Sequence, residues 1–313
     1  MAILISKSTN FSHWRLLSGE SISSVPRQNY DIEILIPTYN HEMFIRTALF
    51  SALAQETSAR VGILIHDDAS TDGTVALILA SLAETGSNFD VTVLEESENQ
   101  FSKKEGFYKQ LLINSNSTFL SILDGDDYWY SKAKLQKQFE VMQDNPDIDL
   151  TFHDYFVKNP KKKWGLVHPH LFAQQKAPFW LLALENHVGT LTTMIRVDSL
   201  KAIEWKGYGE LAIGDFPLWA LLSVGNKSRY VPTIKAVYRQ HSSNMTSPKT
   251  WSRIQAEIRQ SRKFVSVRLS TADKIKWSIA GWGLVSVLFR VGVRLTARQD
   301  YQSNYRDRDI YDS

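Results

Sequence analysis

The chain has no cysteine among its 313 residues. That removes disulfides, thiolate metal sites and cysteine nucleophiles together, so any bound metal must sit on oxygen or imidazole. Low hydrophobicity and one-signed charge are lacking too. Hydrophobic residues make up 43%, charged residues 22%, and the formal net charge is +3. These are values of a globular protein long enough to bury a full core, not of a disordered or collagenous chain. Met1 to Asn10 show no basic segment followed by a long apolar run, so no secretory signal is expected and a cytoplasmic setting is. Uninterrupted apolar stretches are short as well. The longest in the C-terminal part, Ser278 to Phe289, is well under the ~20 residues that cross a bilayer.

What charge asymmetry there is lies at the C-terminal end. From Lys249 to Arg298 there are eleven lysines and arginines against only Glu257 and Asp273. Basic charge alone suits nucleic acid, anionic lipid or an acidic partner equally. The apolar residues decide. Trp277, Gly281, Leu284, Leu288, Val291 and Leu295 recur at intervals of three or four, with Arg290, Arg294 and Arg298 on a neighbouring face. An apolar helical stripe flanked by cations points to an anionic membrane surface over residues 272–298, and away from nucleic acid. A peripheral position on the inner face of the cell membrane follows. Packing on the chain's own domain, or on a second copy in a homo-oligomer, remains open.

Upstream, apolar strands alternate with helical patterns. Residues 1–30 carry no period and read as a lead-in. Ile32 to Ile36 is a strand broken at Pro37, followed by Ile45, Leu49 and Leu53 at helical spacing. Val61 to Ile65 is a second strand, followed by a helix carrying Val75, Ile78, Leu79 and Leu82. Val91 to Leu94, a helix from Phe107 to Ile113, and a strand from Phe119 to Leu123 complete the series. Such alternation predicts an α/β fold with a mainly parallel sheet covered by helices on both faces, and its ligand beyond the carboxyl ends of the strands. Pro37 to Asn40, Asp67-Asp68 and Asp124-Gly125-Asp126-Asp127 all stand at such ends. One site is implied.

Hard divalent cations take carboxylate oxygens and bridge to phosphate, so two carboxylates one residue apart on a strand-end loop suit a metal-bound diphosphate. The same Asp-Gly-Asp composition also makes ordinary solvated turns. The wider context separates the two. Ile36-Pro37-Thr38-Tyr39-Asn40, His66-Asp67-Asp68-Ala69-Ser70-Thr71-Asp72-Gly73-Thr74 and Leu123-Asp124-Gly125-Asp126-Asp127 occur in the order and spacing of family 2 glycosyltransferases. Further on, Gly214-Asp215-Phe216-Pro217-Leu218-Trp219 and Ala236-Val237-Tyr238-Arg239-Gln240-His241 resemble that family's acceptor-side segment and the strand closing its site.

The resemblance covers residues 31–245 and implies a GT-A catalytic domain there, with 246–313 as a basic amphipathic helical tail. It implies inverting transfer of a sugar from a nucleotide-diphosphate donor, with UDP-sugars first among them. The acceptor would be a saccharide or a lipid-linked group in cell-surface polysaccharide or glycolipid synthesis, and the cofactor Mn2+ or Mg2+. By the same resemblance Pro37, Thr38, Tyr39 and Asp68 contact the nucleoside, Asp124 and Gly125 the donor, and Asp126 the metal, with His241 as a further ligand. Asp215 is the base that takes the acceptor's proton, although the family's first acidic residue of this pair is Gly214 here. Thr190, Thr192, Arg196, Trp219 and Arg239 are candidates for the acceptor side.

Other roles stay open for several of these residues. Tyr39 could pack in the core, Asp67 could brace its loop, Asp215 could cap the following helix, and Arg239 could form an ordinary ion pair. Phe156 to Gln175 reads as a loop; its Lys161-Lys162-Lys163 and His168-Pro169-His170 are given no role. Two rival functions remain. A metal-dependent nucleotidyltransferase would want a glycine-rich phosphate loop after the first strand, and Pro37 to Asn40 has no glycine. A non-catalytic membrane-associated scaffold with a degenerate transferase fold would bind donor weakly or not at all.

Overall fold

A computed structural model of the chain describes residues 14–18, 28–85, 88–101, 107–159, 164–167, 188–242 and 251–280, together with residues 182, 186 and 244. Lys161 to Lys163, His168, His170 and the arginines at 290, 294 and 298 lie outside the described residues.

The predicted alternation is present. Strand β1 (Trp14–Ser18) precedes β2 (Ile32–Thr38), α1 (Ile45–Leu53), β3 (Val61–Asp67), α2 (Thr74–Glu84), β4 (Asp90–Glu95), α3 (Phe107–Ile113) and β5 (Phe119–Ile122). Then come β6 (Tyr128–Trp129), α4 (Lys134–Asp144), β7 (Leu150–Lys158), β8 (Trp164–Val167), β9 (Met194–Arg196), α5 (Val197–Lys201), α6 (Asp215–Leu222), β10 (Ser228–Arg239), α7 (Trp251–Ser266) and α8 (Thr271–Ala280). The strands form one sheet in the order β1-β4-β3-β2-β5-β9-β7-β10-β6, with β8 on β7. From β1 to β5 every pairing is parallel, and β9 enters antiparallel between β5 and β7.

Why β2 is a central strand follows from its side chains. Ile32, Ile34 and Ile36 join one apolar cluster, whereas Leu35 joins another on the opposite face. Successive side chains of a strand point to opposite faces, so a strand covered on both sides must be apolar at every position, as this one nearly is. Strand β3 repeats the pattern with Ile63 and Ile65 on one face and Leu64 on the other. Between them Gly62 leaves room for the Tyr30 ring, which stands 2.1 Å from where a Cβ would be.

Three expectations are corrected. The lead-in contains a strand: β1 pairs in parallel register with β4, Trp14 opposite Val91 through Ser18 opposite Glu95. Five residues are too short a run for periodicity to reveal, and the pairing supplies what the pattern does not. The stretch after Phe156 is not all loop, because β7 extends to Lys158 and β8 pairs with it as a hairpin. Third, Trp277 does not lie on a membrane-facing stripe: of the placements left open for the tail, its described residues take the one on the chain's own domain. Phe264, Val265, Leu269 and Trp277 are buried in the same apolar cluster as Leu218, Trp219 and Leu222 of α6. Trp277, placed by the sequence on a membrane stripe, is 4% exposed and stacks on Phe216 at 6.1 Å.

The outward face of α8 is a different one, carrying Ile275 and Ile279, both more than half exposed. Trp277→Ala should therefore lower the unfolding free energy by about 3–5 kcal/mol, the usual cost of emptying a large aromatic site. Chemical denaturation measures it, and a stability change under ~1 kcal/mol would place Trp277 outside the core.

Candidate active site

The carboxyl ends of β2, β3 and β5 stand side by side, since Thr38 pairs with Asp67 and Leu35 with Ile122. Their loops therefore share one rim, as the spacing predicts. Most polar side chains of the second motif hold that rim together. Asp67 accepts the Ser70 N–H at 2.8 Å and the Ser70 hydroxyl at 2.6 Å, the bracing role left open by the sequence. Asn40 accepts the Thr71 N–H at 2.8 Å, and its own N–H donates to Ser70 Oγ at 2.8 Å. Asp72 accepts from the Thr74 and Glu42 amides, while Glu42 accepts the Gly73 N–H. Both loops turn through left-handed backbone at Asn40 (φ 54°) and Ala69 (φ 61°). For alanine that conformation costs on the order of 1 kcal/mol or more, and it persists because the cross-links over-determine it.

The proposed nucleoside contacts divide. Tyr39 is 44% exposed, so core packing is excluded and its ring is free to meet a ligand. Pro37 is half-buried beside it, whereas Thr38 is buried. Asp68 is buried and accepts the N–H groups of Gln100 at 2.6 Å and Phe101 at 3.1 Å, which ties the loop after β4 to the rim. Carboxylate oxygens keep further lone pairs, so a nucleoside hydroxyl or base N–H can still be accepted.

The Asp-Gly-Asp-Asp loop is the most tightly held part. Gly125 is required there, for a Cβ would come within 2.7 Å of Thr38 Oγ1 and 2.8 Å of His41 Nδ1. Both of those atoms are buried without a hydrogen-bond partner among the described residues. Asp126 Oδ2 lies 3.0 Å from His241 Nε2, 3.1 Å from Asn244 Nδ2 and 3.8 Å from His41 Nε2. Burial works against its charge, but the His241 hydrogen bond and both imidazoles outweigh it and hold the carboxyl below its ordinary value. Asp127 accepts the Arg239 N–H at 2.9 Å; burial and the charges of Asp126 and Asp124 push it well up. Asp124 is pushed up to about 8 by burial, then by Asp126, then by Asp215. That last influence couples Asp215 electrostatically to the donor loop.

Asp215 opens α6 and accepts the Phe216 N–H at 2.7 Å and the Asn186 side-chain N–H at 3.4 Å. Burial raises its carboxyl above the ordinary value despite these donors. Among the acceptor-side candidates, Thr190 acts on that carboxyl, working to lower it. The other acceptor-side candidates do not. Arg196 pairs with Phe119 at the start of β5, the far end of the sheet, and donates to the carbonyls of Ile148 and Met142. Trp219 is completely buried in the core, and Thr192 is buried behind the turn.

Arg239 is spent on backbone. It donates to the carbonyls of Asp126, of Phe44 at 3.0 Å and of Asp127 at 3.3 Å, with its guanidinium between the Phe44 and Tyr128 rings. Two residues at this site escaped the sequence reading. His41 follows Asn40 directly and its polarity in a strand-end loop was a usable signal, whereas Asn244 lies beyond the motif and carried none.

The donor set of Asp126 and His241 fits a hard or borderline divalent ion, and the mutual repulsion of Asp124, Asp126 and Asp215 is what such an ion relieves. Among the described residues no three His, Asp or Glu side chains form a complete cage. Mg2+-type ions normally complete their shell with phosphate oxygens and water, so two protein ligands suffice when a diphosphate is present.

The family model for glycosyl transferase family 2 matches residues 33–203, more than half of the chain. The chain belongs to glycosyl transferase family 2. An uncharacterised protein of Mycobacterium tuberculosis (strain H37Rv) is 26% identical over 215 residues, 67% of this chain and 59% of that protein. A UDP-Glc:α-D-GlcNAc-diphosphoundecaprenol β-1,3-glucosyltransferase of Escherichia coli is 27% identical over 168 residues, 53% of this chain and 60% of its own length. The chain thus spans about three fifths of these relatives. Among solved structures, S. aureus TarS 1-349 in complex with UDP aligns with TM-score 0.55 at 17% identity, covering 78% of this chain and 68% of that one. A Pyrobaculum calidifontis mannosyltransferase in complex with GDP-Man and Mn2+ aligns with TM-score 0.52 at 15% identity, covering 89% and 84%. The fold of this family 2 chain is accordingly GT-A.

Proposed function

We propose that the protein transfers a sugar from a nucleotide-diphosphate donor, with UDP-sugars as first candidates, to a saccharide or lipid-linked acceptor with inversion. The observation that carries this reading is Asp126 of the donor loop, 3.0 Å from His241 and 3.1 Å from Asn244 at the shared carboxyl ends of β2, β3 and β5, with Asp215, whose charge acts on Asp124, at the start of α6. The exposed Tyr39 ring and Asp68 receive the nucleoside at the open end. Asp126 and His241 would hold a divalent ion, which would supply positive charge against the negative charge gathering on the leaving diphosphate. Asp215 accepts the proton of the acceptor hydroxyl as its oxygen bonds to the anomeric carbon from the face opposite the diphosphate. The carbon–oxygen bond to the diphosphate breaks on the other face, so the configuration inverts. Thr190 and Asn186 orient the receiving carboxylate. The E. coli relative's name pairs a UDP-sugar with a diphosphoundecaprenol acceptor, which makes that combination the first to assay.

A lipid-linked acceptor calls for a place on the membrane. Among the described residues no helix is long and apolar enough to cross one. The α8 face with Ile275 and Ile279, flanked by Lys274 and Lys276, is suited to lie on an anionic surface instead. Each lysine there adds roughly 1 kcal/mol.

Asp126→Ala is expected to abolish Mn2+-dependent UDP binding, measured by calorimetry, with the melting transition retained. Unchanged metal dependence would remove Asp126 from the ligand set. Asp215→Asn should keep UDP and Mn2+ affinity while transfer falls at least ~100-fold; near-normal transfer would return Asp215 to a helix-start role. Replacing Ile275 and Ile279 together by glutamate should release the protein from phosphatidylglycerol-containing vesicles in a flotation assay, whereas equal flotation of both proteins would end the α8 docking reading.

A further inference from the structure

The turn that carries Thr190 is held in an unusual way. Residues Thr190–Thr192 form a single 3-10 turn ending at Thr193. Three consecutive carbonyls along it each receive a donor from a different buried side chain. Trp129 Nε1 donates to Leu191 O at 2.8 Å, Gln138 Nε2 to Thr192 O at 2.9 Å, and Lys134 Nζ to Thr193 O at 3.1 Å. None of the three side chains is more than 1% exposed. Lys134 also donates to Ser121 Oγ on β5, which itself donates to Thr193 O at 2.8 Å, and the ammonium stands 4.2 Å from the centre of the Trp129 ring.

Nothing in ordinary core packing demands this. A lysine completely buried with no carboxylate among its hydrogen-bond partners in the described residues is costly, and a methionine or leucine would fill the same space without the desolvation. The donors come from one short segment. Trp129 lies two residues beyond Asp127, and Lys134 and Gln138 are one turn apart on α4. The segment that leaves the donor loop therefore grips the turn that follows Asn186, whose side-chain N–H donates to Asp215 at 3.4 Å. The turn's own hydroxyls complete the lock, Thr192 Oγ1 to Gly189 O at 2.7 Å and Thr193 Oγ1 to Thr190 O at 2.8 Å.

We propose that Trp129, Lys134 and Gln138 are positioning residues that fix the Thr190–Thr193 turn, and through Asn186 on the segment leading into it the Asp215 carboxylate, relative to the Asp-Gly-Asp-Asp loop. The inference rests on the reading of Asp215 as the base. It couples two halves of the cleft that come from distant parts of the chain, and a displacement of about 1 Å between reacting groups can cost on the order of 100-fold in rate.

The test uses the full chain with three single variants: Trp129→Phe, which keeps the ring and removes only the N–H, Lys134→Met, and Gln138→Met. UDP affinity in Mn2+ by calorimetry is expected to stay within ~3-fold of wild type in each, while the transfer rate at saturating UDP-sugar falls at least ~10-fold. In an Asp215→Asn background the same substitutions should cause little further loss, because the group they position is already disabled. A variant that does not fold is set aside in favour of Trp129→Phe, the mildest of the three. Unchanged rates in the folded variants, UDP affinity falling in step with rate, or an equal loss in the Asp215→Asn background would each overturn the proposal. Full activity of Asp215→Asn alone is a separate outcome that would overturn the reading of Asp215 as base, whatever the clamp variants do.

Discussion

Burying Asp124, Asp127 and Asp215 is unfavourable, because burial disfavours the charged form of each and the charge of Asp126 adds to that at Asp124 and Asp127. The surrounding structure is organised to hold them there. Arg239 lies beneath the loop, its guanidinium on three backbone carbonyls and its main-chain N–H on Asp127. His241 and Asn244 meet Asp126 from the other side. These groups are contributed by the end of β10 and the residues after it, which explains why a strand far along the chain pairs beside β6 immediately after the acidic loop. An anionic cleft held by fixed partners is preorganised for a cation and a diphosphate, since little rearrangement remains to be made on binding.

The same logic separates residues that shape the rim from those left for a ligand. In the stretch from His66 to Thr74, Asp67, Ser70, Thr71, Asp72 and Thr74 are all engaged with their own loop or with Asn40, His41 and Glu42. A motif can thus be dense in polar residues because two left-handed turns need bracing. Motif density alone does not say which of its residues touch substrate.

That distinction marks where the sequence was legible. Periodicity and strand-end position sufficed for β2, β3, β4, β5 and the convergence of the three acidic loops, because a doubly covered strand has to be apolar throughout and its ligand end has to be polar. Asp67 as a brace, and α6 beginning at Asp215, were readable from local chemistry. Arg196 was not: a planar cation near a motif has the same one-dimensional signature whether it faces the cleft or, as here, the carbonyls at the C-terminal end of α4. Trp219 and Trp277 failed in the same way, since an aromatic on an amphipathic helix can face core or ligand and only the tertiary packing decides. The clamp on the 190–193 turn was invisible because it is made by side chains donating to carbonyls, and carbonyls carry no residue identity.

Trp277 links two of these outcomes. It packs on Phe216, whose backbone N–H is held by the Asp215 carboxylate, so α8 is the outer layer of the helix that presents Asp215, the proposed base. Its opposite face exposes Ile275 and Ile279 between lysines. If this face rests on lipid, as proposed, the distance from the membrane plane to Asp215 is set by two packed helices and not by a flexible tether. A rigid spacer of that kind suits an acceptor whose reactive hydroxyl projects a fixed distance from its lipid, because the effective concentration of a group held at the right height exceeds that on a loose linker. The buried and exposed faces of α8 then serve one geometric end, the inner fixing the height of the base and the outer fixing where that height is measured from.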